Sequence, residues 1–133
     1  MRFSCRRERS VLGWVRRPRV VLEVYSPAAR VWYRIPGVLA DTGADVSLFP
    51  RSLGVAIFGH LRSGRPVSLG GVAPAARIRG FVHRVRMRLA GRVWVSSVVV
   101  ASIDDVPAIL GRHLALDRTD ARFLRGRRVE LRP

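Results

Sequence analysis

Val38-Leu39-Ala40-Asp41-Thr42-Gly43-Ala44-Asp45-Val46-Ser47-Leu48-Phe49-Pro50 is the stretch from which the rest of this 133-residue chain is read. Three apolar residues lead into a carboxylate, a hydroxyl and a glycine, and a second apolar run ends on proline. This order sets the Asp41 carboxylate at a turn where a strand leaves a sheet, and a lone anion is costly to desolvate there. It calls for a partner group. Two carboxylates in contact cannot both ionise cheaply, so they share a proton and titrate as a pair. In such a pair the ionised member can take a proton from a bound water while the protonated member donates a hydrogen bond. Gly43 lets the backbone turn sharply and approach a substrate where a Cβ would obstruct it.

Outward from this stretch, the pattern is one of strands. Runs at 19–25, 31–35, 38–40, 46–49, 66–69, 78–89 and 92–103 read as β. Within 78–89, Arg84, Arg86 and Arg88 alternate with Val85, Met87 and Leu89, the period of two of a half-buried strand. Arg77 and Arg79 fall on the opposite parity, so a bulge or bend is expected near Gly80. Ala90-Gly91 stands where a tight hairpin turn belongs. Residues 93–100 are apolar on both faces, as in a central strand. Helical periodicity is scarce: 112–119 is read as a short helix and 52–58 as a further turn. Residues 1–17, ahead of Pro18, read as an N-terminal arm contributing a strand through Val11 to Val15, and 18–133 as the single folded domain.

Composition narrows the setting. An apolar fraction of 48% with 26% charged residues is that of a folded globular chain, not a disordered one. The formal charge of +16 comes from 25 arginines and no lysine. A basic surface for nucleic acid or an anionic membrane is one reading; a coding bias is the other, and it is preferred because the arginines run from Arg2 to Arg132 without gathering in one arm. Trp14, Trp32, Trp94 and Phe123 do not interleave with arginines in a recurring pattern along the chain. Cys5 is alone, which excludes an intrachain disulfide and fits a reducing compartment. No stretch has the ~18 apolar residues of a membrane span, and 11–15 is too short for a secretory apolar segment of about 7–15 residues. A cytoplasmic protein is expected. His60, His83 and His113 lack metal-ligand spacing, and Asp104-Asp105 reads as a loop into Pro107, so neither metal nor cofactor is expected.

Near the C-terminus lies Ile109-Leu110-Gly111-Arg112. In order and separation, this segment and the Asp41 stretch together resemble the two signature segments of retropepsin-like aspartic proteases, over about 19–124. The resemblance implies a small closed all-β barrel with one short C-terminal helix, working as a homodimer on a peptide or protein substrate. The chain holds one Asp-Thr-Gly, so the second catalytic carboxylate would come from another copy across a twofold axis. Thr42 would bond the partner's catalytic loop. Asp45 would contact the substrate backbone or pair with Arg112, and Gly111 would allow close packing behind the loop. Ala44 lacks the hydroxyl that pepsin-like members place there to stabilise the ionised dyad, so activity reaching towards neutral pH is expected. A flap over the cleft falls on Leu69-Gly70-Gly71-Val72, with a plain turn as the competing reading. His113 departs from the family pattern, where an acidic or amide residue follows Gly-Arg.

The function expected is therefore an aspartic endopeptidase that activates water through Asp41 and its counterpart Asp41. Two alternatives stand beside it: a catalytically silent peptide-binding or dimerisation module of the same fold, and, less favoured, an arginine-rich nucleic-acid-binding protein.

Overall fold

The computed structural model describes residues 1–71, 73 and 75–132. In chain order the elements are β1 (Arg2–Ser4), β2 (Arg6–Ser10), β3 (Gly13–Arg17), β4 (Arg19–Ser26), β5 (Val31–Ala40), β6 (Ser47–Phe49), α1 (Arg51–Phe58), β7 (Arg65–Gly70), β8 (Arg77–Leu89), β9 (Arg92–Ala101), β10 (Ile109–Leu110), β11 (Asp120–Leu124) and β12 (Arg128–Arg132). With 58% of residues in strands the chain is all-β, and six strands close a barrel in the order β4-β5-β10-β6-β9-β8, with β8 returning to β4. β7 hangs on the outer edge of β8 as the other half of a hairpin.

Alternation fills the barrel. Val20, Leu22 and Val24 of β4 and Val85, Met87 and Leu89 of β8 point inward, all at most 4% exposed, and meet Val38, Phe49, Trp94 and Leu110. A buried side chain of this size stabilises the fold by about 1.5–3 kcal/mol relative to leaving it in water. A second, smaller cluster of Leu48, Val99 and Ala101 is covered by Val67, Leu69, Ile78 and Val82 from the β7–β8 hairpin.

That second cluster explains the parity change in β8. The expected bulge near Gly80 is absent: β8 pairs with β9 without a break from Gly80 opposite Ala101 to Leu89 opposite Arg92. The even-numbered side of β8 carries Ile78 and Val82 to the smaller cluster, and farther along the odd side carries Val85, Met87 and Leu89 into the barrel. The chain changes partners, not register. A bulge is found instead in β5, which joins the two runs read as separate strands: Pro36 and Gly37 together oppose Val21, and Gly37 takes φ +73°.

Ala90 and Gly91 form the expected two-residue turn, both at positive φ (50° and 82°). Beyond it, β9 is covered on both faces only from Val98 to Ala101, and Val93 and Val95 are exposed. The C-terminal helix expected at 112–119 shrinks to a single 3-10 turn, Leu116–Arg118, because Leu114 sits at φ 52° and its carbonyl accepts the Trp94 indole N–H at 2.7 Å. The one α-helix among the described residues is α1, where only a turn was expected. Its Gly54 lies so close to Val100 that a Cβ would overlap that side chain. Asp104 of the Asp-Asp loop accepts the Ser52 N–H at 2.7 Å in the first turn of α1, a cap supplied from a distant segment.

The N-terminal residues are paired in strands. β1 pairs with β12, and β12 with β11, in a three-stranded terminal sheet; β2 and β3 form a separate hairpin. The strand expected through Val11 to Val15 begins only at Gly13 (φ +108°), since Val11 and Leu12 form the hairpin turn.

Candidate functional site

β10 is the element that builds the site. Its two residues insert between β5 and β6, parallel to the first (Ile109 opposite Leu39, Leu110 opposite Ala40) and antiparallel to the second (Ile109 opposite Leu48). The two sequence segments, some seventy positions apart, are thus neighbours in one sheet. Where β5 ends, the Asp41 N–H donates to the Leu110 carbonyl at 3.0 Å, and the chain turns: the Gly43 N–H donates to Asp41 Oδ1 at 2.8 Å and the Ala44 N–H to the Asp41 carbonyl at 3.3 Å. Asp41 and Ala44 are half-buried, whereas Thr42, Gly43 and Asp45 face solvent. The Thr42 hydroxyl makes no hydrogen bond among the described residues.

The chain leaving β10 closes the loop from behind. The Arg112 N–H donates to the Ala44 carbonyl at 2.9 Å and the His113 N–H to the Asp45 carbonyl at 2.8 Å. Gly111 is in direct contact with the backbone of 44–46, where a Cβ would overlap the Val46 carbonyl. Its N–H donates to Ser47 Oγ at 3.1 Å in a fully buried position. Ser47 is the residue that sequence reasoning missed; the only signal available was a hydroxyl inside the apolar run Val46 to Phe49.

The expected Asp45–Arg112 ion pair is not formed. Arg112 Nε lies 3.1 Å from Asp117 Oδ1, both half exposed, so this pair is screened and contributes little. The tie between the two segments is made by main chain instead, through the Arg112 and His113 N–H groups. Asp45 is left free to line a depression of about 390 Å³ with Val46, Arg65, Val82, Val98 and His113, which runs from the Asp41 loop towards the base of the β7–β8 hairpin. A second depression, beside Asp41 and Thr42, is walled by Val15, Arg16, Pro18 and Phe123, bringing the N-terminal hairpin and the terminal sheet to the rim of the site.

Gly70 and Gly71 lie at the tip of the β7–β8 hairpin, both exposed, with the Gly71 N–H donating to the Ala76 carbonyl at 3.1 Å. A Cβ at Gly70 would meet nothing within 4 Å. Val72, the last residue of the flap stretch, lies outside the described residues. His60 and His113 are exposed and belong to no group of three metal-ligating side chains among the described residues. His83 is buried, stacked on Phe58 with ring centroids 4.2 Å apart, its Nε2 2.9 Å from the Leu61 carbonyl. Burial holds its pKa below the ordinary histidine value, against the opposing pull of the Leu61 bond. Among the described residues no helix is long and apolar enough to cross a membrane.

The closed barrel, with β10 inserted between β5 and β6, has the retropepsin-like fold. Among solved structures, the EIAV protease in complex with the inhibitor HBY-793 superposes with a TM-score of 0.52 at 26% identity, over 72% of this chain and 82% of that one. A retropepsin-like aspartic protease from Rickettsia conorii superposes with a TM-score of 0.57 at 12% identity, over 98% of each chain. No protein-family model and no curated protein matches the sequence.

Proposed function

We propose that the chain is an aspartic endopeptidase whose catalytic dyad is Asp41 with the Asp41 of a second copy. The observation that carries this reading is the Asp41 loop itself: a carboxylate at the end of a barrel strand, braced by the Gly43 N–H and by the main chain of 110–113, with its Thr42-Gly43 side open to solvent. Such bracing fixes the carboxylate without supplying a second acid, and among the described residues none stands beside it. A copy related by a twofold axis through this loop supplies one. The unengaged Thr42 hydroxyl and the 45%-exposed Phe123 at the rim fit a surface that a second copy covers.

In the dimer one Asp41 carboxylate accepts a proton from water and the other donates a hydrogen bond to the scissile carbonyl, with no covalent intermediate. A peptide lies extended, its backbone near Asp45 and beneath the glycine tip of the β7–β8 hairpin, which acts as the flap. Val46, Val82 and Val98 give the depression beside Asp45 an apolar floor, so it suits an aliphatic substrate side chain.

Asp41→Asn is expected to lower peptide cleavage by about 10²–10⁴-fold, the range for loss of a general acid–base, while leaving the fold and its thermal stability in place. Unchanged cleavage in this variant sinks the reading. Intact dimerisation and peptide binding with no turnover in the wild type would establish the catalytically silent module instead.

A further inference from the structure

The alternation that sends Val85, Met87 and Leu89 into the barrel sends Arg84, Arg86 and Arg88 to its outer face. Along the chain these arginines have no aromatic neighbours, but the sheet provides them. β4 lies between β5 and β8, with Tyr25 opposite Trp32 on one side and Val24 opposite Met87 on the other. The Tyr25 and Trp32 rings meet edge to face with centroids 5.6 Å apart. The Arg86 guanidinium lies 4.0 Å from the Tyr25 centroid, and that of Arg88 lies 4.2 Å from the Trp32 centroid. Arg34 on β5 stands next to this row, opposite Glu23, and the exposed Val93 and Val95 of β9 lie opposite Arg88 and Arg86.

The patch is strongly cationic and weakly compensated. Glu23 reaches only Arg88, at 3.5 Å, and both side chains are about a third exposed, so the pair neutralises little. Arg34, Arg84 and Arg86 have no ion-pair partner among the described residues. A guanidinium seated over a ring is ordered in advance, and its N–H groups can bind phosphate through two hydrogen bonds. Alternate residues of a strand are about 6.8 Å apart, close to the spacing of successive phosphates in an extended single strand. The exposed valines beside the arginines, and the guanidinium planes themselves, offer faces to unstacked bases.

We propose that this outer face of β4, β5, β8 and β9 is a binding surface for single-stranded nucleic acid. Arg84, Arg86 and Arg88 take the phosphates through their N–H edges, Tyr25 and Trp32 hold the guanidiniums of Arg86 and Arg88 in place, and Val93 and Val95 offer apolar faces to bases. A sheet face with no projecting helix or arm has nothing to enter the groove of a duplex, which favours the single strand. A lipid surface would use the charge and leave the rings beneath the guanidiniums without a role. The patch centres on Trp32 at the start of β5, at the opposite end of that strand from Asp41, so it stands whether or not Asp41 is catalytic.

The test is fluorescence polarisation of a labelled 20-nucleotide uridine RNA with the full chain across a salt series. The variant Arg84→Gln/Arg86→Gln/Arg88→Gln is compared with the charge-matched Arg122→Gln/Arg125→Gln/Arg127→Gln, which alters exposed positions at the terminal sheet. The face variant should weaken binding at least tenfold more than the control and reduce the slope of log affinity against log salt by about 2, near 0.7 for each phosphate that is no longer neutralised. Trp32→Leu, which keeps the charge, should weaken it further, and Asp41→Asn should bind as the wild type does. If the triple variant folds poorly, Arg84→Glu, which touches neither ring, reports on the same face. Equal losses in the two triple variants would mean diffuse charge and overturn the proposal. So would phosphatidylserine vesicles bound as tightly as RNA with the same dependence on Arg84, Arg86 and Arg88.

Discussion

Ser47 shows how much of the site hangs on single atoms. Its buried hydroxyl is the acceptor for the Gly111 N–H, a donor that the close contact with Val46 seals from water. Ser47→Ala would leave that N–H unsatisfied, at a cost of about 1–3 kcal/mol. It is expected to lower the free energy of unfolding by that amount, seen as a lower denaturation midpoint, and to reduce cleavage further by loosening the turn that holds Asp41. Chemical denaturation of the variant checks the first part, and an unchanged midpoint would mean that the bond is dispensable. His83 gives a pH dependence with a definite sign. Its folded pKa lies below the ordinary 6.5, so the unfolded chain binds more protons between the two values and stability rises with pH there. This contribution is fully present above pH 6.5 and is lost as pH falls through the depressed native value. His83→Phe, which keeps a ring on Phe58 but cannot titrate, should flatten the fall in melting temperature on acidification from pH 7.5. Parallel slopes for the two proteins would assign the effect elsewhere.

Elements were legible where alternation was clean and turn chemistry local. The β8–β9 hairpin could be read because Arg84 to Leu89 alternate and Ala90-Gly91 follows, and the Asp41 and Gly111 segments because their residue types carry chemistry. What escaped depends on contacts between distant segments. The partner change in β8 needs the smaller cluster around Leu48 and Val99, and the collapse of the C-terminal helix needs Trp94 to reach the Leu114 carbonyl. Arg112 could be matched to an acid but not to which acid, because Asp117 returns beneath it only through the 3-10 turn. The β11–β12 hairpin carries a signal of its own in Val129 and Leu131, two apart between Arg128 and Arg132, after Gly126 at φ 63°. The β8–β9 turn offers a test at this scale. Ala90 holds φ 50°, a conformation asparagine adopts more readily. Ala90→Asn is expected to raise stability by roughly 0.5–1 kcal/mol, read as a higher thermal midpoint with unaltered cleavage. A lower midpoint would show that the turn tolerates alanine for a packing reason.

At the scale of the whole molecule, charge and assembly oppose each other. The proposed mechanism brings two chains of formal charge +16 together at a loop bordered by Arg16 and Arg17 of the N-terminal hairpin. Repulsion between such surfaces reaches about 30 Å at 0.01 M salt and about 10 Å at 0.1 M, so salt or a bound polyanion should favour association. Cleavage and dimerisation are then linked, because each chain holds half of the dyad, and specific activity should rise with protein concentration. Sedimentation velocity at 0.01, 0.1 and 0.3 M salt is expected to show the dimer fraction increasing at fixed protein concentration, with cleavage rate following it. The arginines on the outer face of β8 add a second route, since a single-stranded RNA held there lowers the net charge of each copy without covering Asp41. Added RNA at low salt should therefore raise the dimer fraction, and the Arg84, Arg86 and Arg88 variant should lose that response while keeping its response to salt. A dimer equally tight at every ionic strength would show that apolar contacts such as those of Phe123 outweigh the repulsion. An active monomer would remove the shared dyad altogether.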